Sequence, residues 1–135
     1  MRHAGTGRLL WRVPVGPRSQ VRLEYTYSLY GAPTAERFEV AAGGLRLVEV
    51  SSTEEAVLEH LGLPPPYHRR GDELVGRSDG AVHTRLTVRI GPTGRQRLWV
   101  DGHDLPLYRV GTGEAVEIVL RRVPRVILWL GTDTR

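Results

Sequence analysis

Apolar and polar residues alternate with period two across residues 20–40, QVRLEYTYSLYGAPTAERFEV, which predicts two half-buried strands joined by a turn. In the first, Val21, Leu23, Tyr25 and Tyr27 share one face, with Arg22, Glu24 and Thr26 on the other. In the second, Glu36, Phe38 and Val40 share a face opposite Arg37 and Glu39. The apolar faces must meet the core, so Glu36 goes inward with them. It lies at the end nearest a turn at Gly31-Ala32-Pro33, within reach of Tyr25 or Tyr27. A carboxylate carried into a core is costly unless it is hydrogen-bonded, which makes this hairpin the least ordinary part of the chain.

The rest of the pattern is a succession of short strands. Residues 8–15 (RLLWRVPV) place Leu9, Trp11, Val13 and Val15 on one face and end at Pro14, as an edge strand does. Gly43-Gly44 turns the chain into a strand at residues 45–50. One helix is predicted over residues 53–61, opened by a capping box of Ser52 and Glu55 and stopped by Gly62 and Pro64-Pro65-Pro66. So short a helix needs tertiary support, with Ala56, Val57 and Leu61 packed on the sheet. Residues 64–80 read as a mobile loop with a brief strand at residues 73–76. The cleanest alternation, residues 82–90, aligns Val82, Thr84, Leu86, Val88 and Ile90 as one strand. Further strands follow at residues 96–100, after the tight turn Asp101-Gly102 at residues 105–108, and at residues 115–122. Residues 125–130 (RVILWL) are apolar on both faces, so Ile127 and Trp129 belong either to a strand covered by the helix or to a docking patch. The whole chain, residues 1–135, thus reads as a single all-β domain, a mainly antiparallel β-sandwich or partly closed barrel with one short helix.

Composition narrows the classes. A chain of 135 residues buries a core without metal or disulfide support. The absence of cysteine excludes disulfides, thiolate nucleophiles and Cys-ligated metals. Net charge is +4, but all 19 basic residues are arginine; lysine and asparagine are absent, phenylalanine occurs once and isoleucine three times. The scarce types share AT-rich codons, so coding bias accounts for the arginines, and the modest charge is no footprint of nucleic acid. A high-temperature host is compatible, although Lys/Glu enrichment would be the stronger mark. No apolar run reaches the roughly 18–20 residues that span a bilayer. The N-terminus MRHAGTGRLLWRVPV lacks the apolar core of a signal peptide, so the chain as written reads as soluble and unexported.

Tyr25, Tyr27, Ser28 and Glu36 are the candidate ligand- or partner-binding residues. The structural alternative is that tyrosine hydroxyls and backbone N–H groups satisfy Glu36 and fix the hairpin register. Glu24 faces the other way, so Glu36 has no second titratable partner for acid–base work, and Ser28 has no visible base. No catalytic residue and no cofactor is assigned. His83, Asp101, His103 and Asp104 are scattered over strands and turns and read as loop residues, not as a metal site. Arg85, Arg89, Arg95 and Arg97 have only Trp99 near them, where a base-stacking surface would interleave aromatics. They read as a strand face with ion pairs to Glu114 and Glu117, which argues against a nucleic-acid partner. There is no nucleophile elbow, phosphate loop or dinucleotide fingerprint.

Tyr25, Ser28, Pro33, Glu36 and Phe38, in the order Y-x-x-S-x-x-x-x-P-x-x-E-x-F, resemble the bacterial family known as domain of unknown function 1850. Its Gly-Leu-Pro element is similar to Gly62-Leu63-Pro64, and its late R-L-x-V-x-G-x-x-L-P-L segment to the run from Arg97 to Leu107. The resemblance spans residues 9–130. Tyr27 stands where the family has histidine before the serine, and the helical stretch at residues 53–61 replaces its glycine-rich approach to Gly-Leu-Pro. The resemblance implies an extracytoplasmic, non-catalytic accessory or binding domain, working beside a membrane transporter subunit of the tripartite class that uses a substrate-binding protein. The alternative is a small-molecule-binding module with its pocket at Tyr25, Tyr27 and Glu36.

Overall fold

The structure, a computed structural model, describes residues 1–121; the strand expected at residues 125–130, with Ile127 and Trp129, lies outside them. The elements in order are β1 (Arg2–His3), β2 (Gln20–Tyr27), β3 (Ala32–Ala41), β4 (Gly44–Ser52) and α1 (Glu55–His60). There follow β5 (His68–Arg70), β6 (Glu73–Arg77), β7 (Val82–His83), β8 (Arg85–Arg89), β9 (Arg97–Val100), β10 (His103–Leu105), a 3-10 turn at Leu107–Val110 and β11 (Ala115–Val119). The large sheet runs β10-β9-β2-β3-β4-β6-β5, with β7 paired to the other half of β4; the small sheet runs β1-β11-β8. Among the described residues every pairing is antiparallel and neither sheet closes, the arrangement of a β-sandwich.

Alternation decides what lies between the sheets. Val21, Leu23, Phe38, Leu98 and Val100 of the large sheet meet Val88, Val116 and Ile118 of the small one, with Phe38 only 1% exposed. A second, smaller cluster of Val50, Leu58 and Leu63 forms where α1 covers the other end of the large sheet. A β-bulge joins the two halves of β4: Arg37 opposes Glu49 while Phe38 opposes Leu47, leaving Val48 over. The extra residue reverses the facing of β4, so Leu45, Leu47 and Val50 all point inward, and Glu49 lies on the other face, buried against Arg37 and Arg70.

Several expected elements differ. The hairpin turns at residues 28–31, and Ala32 and Pro33 already belong to β3. Pro33 pairs only with Thr26 and lies beyond the end of β4, where its missing N–H breaks no ladder bond. Residues 8–15 form no strand; Leu9 makes a single bridge to Arg2, and Leu10, not Leu9, is buried. The amides of Leu10 and Trp11 both donate to the carbonyl of Met1, folding the segment back along the chain start. The helix is shorter than predicted and has no capping box, because Ser52 ends β4 and its Oγ bonds Thr34 Oγ1 and the Glu54 N–H. Its buried residues are Val57 and Leu58, while Leu61 is exposed. Residues 64–80, expected as a loop with a brief strand at residues 73–76, carry the β5–β6 hairpin, whose β6 is that strand. The strand expected at residues 82–90 breaks at Thr84, where the chain passes from the large sheet to the small one. Asp101 (φ 49°) and Gly102 (φ 84°) make the predicted tight turn between β9 and β10.

Candidate functional site

The hairpin β2–β3 brings Tyr25 and Glu36 together on the inward face. Leu23 lies directly opposite Glu36 and Tyr25 opposite Thr34, so the two polar side chains are diagonal neighbours. Tyr25 Oη donates to Glu36 Oε2 at 2.5 Å. On its other side Glu36 faces Val50, so the pair lies where the larger cluster gives way to the smaller. Burial raises the Glu36 carboxyl above its ordinary pKa; the Tyr25 hydrogen bond and the nearby His83 oppose that shift without overcoming it. Tyr25 is raised as well, by burial first and then by the charge and hydrogen bond of Glu36. The pair therefore holds its protons more firmly than either group does in water.

Beside it, Thr34 and Ser52 are buried and bonded to one another at 3.1 Å, and Ser52 accepts from the first amide ahead of α1. These contacts tie hairpin, β4 and helix into one polar seam.

Tyr27 and Ser28 are placed differently. The Tyr27 ring stacks on Tyr30 at 6.1 Å and meets His60 of α1 edge-on at 5.7 Å. Ser28 is exposed in the turn. Next to it Leu29 is 65% and Tyr30 46% exposed. The four candidates thus divide into a hydrogen-bonded, half-buried pair, Tyr25 and Glu36, and a tip formed by the half-buried Tyr27 and the exposed Ser28. The sequence reading missed His60 and Tyr30, which complete the tip; His83, which it weighed only as a metal ligand, faces Phe38 at 6.5 Å. Tyr30 was within reach of that reading: it is a large aromatic inside a turn, where burial is scarce.

A cleft of about 290 Å³ opens on the outward face of the same hairpin. Of the four candidates only Tyr25 contributes to its wall; Arg22, Thr26, Arg95, Arg97 and Glu73 supply most of the rest.

Several other polar residues have local partners. Asp101 Oδ1 accepts from the Gln20 N–H at 2.8 Å, and Asp104 pairs with Arg97 at 2.9 Å. Among the described residues, no group of three or more His, Asp or Glu is placed to hold a metal. Arg85 pairs with Glu117, which also holds Arg2. Among the described residues no helix is long and apolar enough to cross a membrane. Comparison with protein-family models, with curated proteins and with solved structures returns no match.

Proposed function

We propose that this domain is a non-catalytic accessory module that docks a protein partner through the tip of the β2–β3 hairpin. The observation that carries the reading is the pairing of two large exposed side chains, Leu29 and Tyr30, with a bonded base beneath them. The Tyr27 ring, itself met by His60, stacks on Tyr30, and the Tyr25–Glu36 bond and the Thr34–Ser52 seam hold the strands below. A preorganised aromatic anchor loses little conformational freedom on binding, and tyrosine is among the residues that dominate interface energetics. The non-catalytic part of the proposal rests on Glu36: its one bonded partner is a phenol that itself resists deprotonation, a poor pair for moving protons near neutral pH.

For the partner, the resemblance at Tyr25, Ser28, Pro33, Glu36 and Phe38 favours a membrane subunit of a tripartite-class transporter, met on the extracytoplasmic side. The test places a photo-crosslinking phenylalanine analogue at Tyr30 and, as control, at Val15, another exposed apolar position. Adducts in native membranes are then identified by mass spectrometry. The expected result is an adduct with a transporter subunit from position 30 only. Adducts with no membrane protein, or equally from both positions, would overturn the proposal.

A further inference from the structure

The cleft on the outward face of β2 and β3 carries charges that the fold leaves unmatched. Three arginines line it. Arg22 is neutralised by Glu24 at 2.9 Å and Arg97 by Asp104 at 2.9 Å. Arg95 has no carboxylate partner among the described residues; its guanidinium lies over the Tyr108 ring, 4.9 Å from the centroid. Stacking of this kind holds the guanidinium plane while leaving its N–H edge free to grip a carboxylate in the bidentate manner. The platform is itself fixed, because the Tyr108 N–H donates to the Gln96 carbonyl at 3.0 Å.

Glu73 also lines the cleft. It opens β6 and stands opposite Arg70 across the β5–β6 pair, the register in which a cross-strand ion pair would form. That pair is not made. Arg70 reaches instead to Glu49, at 2.7 Å, and Glu73 is left without a cation among the described residues. One cleft therefore holds an arginine without its acid and a carboxylate without its base, with the Thr26 hydroxyl also in the lining.

We propose that this cleft binds a small zwitterion of the α-amino acid class, the ligand carboxylate meeting Arg95 and the ligand ammonium meeting Glu73. Size agrees with the charge argument. A volume of about 290 Å³ is just below the roughly 300–1,000 Å³ typical of small-molecule sites, which suits a free amino acid better than a cofactor. Neither Arg95 nor Glu73 belongs to the hairpin tip, so this site is tested separately from docking there.

The test titrates the whole chain with each of the twenty amino acids, and with acetate and ethylamine as probes bearing one charge each. Amide chemical shifts of residues 22–26 and 73 and of Arg95 provide the readout. The expected result is saturable binding of at least one amino acid, at least tenfold tighter than either single-charge probe. Arg95→Gln and Glu73→Gln should each weaken it about tenfold or more, and Arg95→Lys should restore part of the loss. Both positions lie outside the two apolar clusters, and unchanged melting temperatures would verify that the variants fold. Saturation by acetate as tightly as by any amino acid, indifferent to Glu73→Gln, would replace the zwitterion with a simple anion. The absence of saturable binding across the panel would reduce Arg95 and Glu73 to solvated charges. Either result overturns the proposal.

Discussion

The carboxyl of Glu36 lies between Leu23, Val50 and the Tyr25 hydroxyl, and its pKa is raised in the fold chiefly by burial. A carboxyl whose folded pKa exceeds its unfolded value favours the native state most below the unfolded pKa, about 4.3. Its contribution falls as pH rises through the folded pKa. Glu36→Gln removes this titration while keeping an oxygen for Tyr25 to donate to. The variant should therefore lack the declining arm and equal or exceed the wild type in stability at pH 8. Urea unfolding of both proteins between pH 4 and 9 measures the difference directly, and a Glu36→Gln protein weaker than wild type at pH 8 would refute it. Tyr25→Phe acts the other way: it leaves the carboxyl buried without its donor and should cost about 1–3 kcal/mol at neutral pH. Glu49 supplies the contrast. Burial pushes its carboxyl up, but hydrogen bonds and charges from Arg70 and Arg37 together outweigh burial and leave it lowered. Its contribution is present above the unfolded pKa and lost as pH falls through the folded one, so the two glutamates slope oppositely.

Between β4 and β7 the chain prepares to leave the large sheet, and Gly44 makes that approach possible. A Cβ built at Gly44 would lie 2.1 Å from the carbonyl oxygen of His83, which is backbone and cannot swing aside. Gly44→Ala should therefore break the Leu45–His83 and Arg46–Val82 pairing and cost about 1–3 kcal/mol. Gly16→Ala, which meets nothing within 4 Å, should stay within about 0.5 kcal/mol. Equal melting temperatures for the two variants would show that β7 is not held as described. The same elements explain what could be read from the chain. Alternation located β2, β3 and the inward Glu36, because a two-residue period with one apolar face admits a single register. It misread residues 82–90, since a strand that changes sheets at Thr84 keeps its alternation on both sides of the break. It could not reveal the bulge at Val48, because inserting one residue reverses the facing without changing composition. Only the β5 half of the β5–β6 hairpin was hidden, because β5 is wholly exposed and has no apolar face to betray it, whereas β6 matches the strand expected at residues 73–76. Of the sites, the Tyr25–Glu36 pair was legible from local pattern. Arg95 and Glu73 were not, since only the strand order joins them.

Across the whole molecule the two apolar clusters are unequal. Among the described residues the larger joins both sheets through thirteen buried residues, whereas the one under α1 has three, Val50, Leu58 and Leu63. Stability in such a structure is not uniform, because a region with little buried surface opens without unfolding the remainder. Helix α1 is too short to persist without its contacts, and β5 is an exposed edge strand. The polar seam of Tyr25–Glu36 and Thr34–Ser52 borders this region, and its bonds run along the β2–β3–β4 meander. The helix end should therefore detach while the meander stays paired. Native-state hydrogen exchange should show amides of α1, β5 and β6 opening together at lower free energy than those of β2, β3, β8 and β11. Leu58→Ala should lower that local opening free energy by about 2–5 kcal/mol, or until it reaches zero, and should leave the exchange of β11 unchanged. If α1 and β11 instead opened at the same free energy, and Leu58→Ala lowered both equally, the sandwich would be a single cooperative unit. The hairpin tip would then be as firmly held as the core; with a detachable helix, Tyr27 loses its edge-on contact with His60 whenever α1 opens, while Tyr30 keeps its stack on Tyr27.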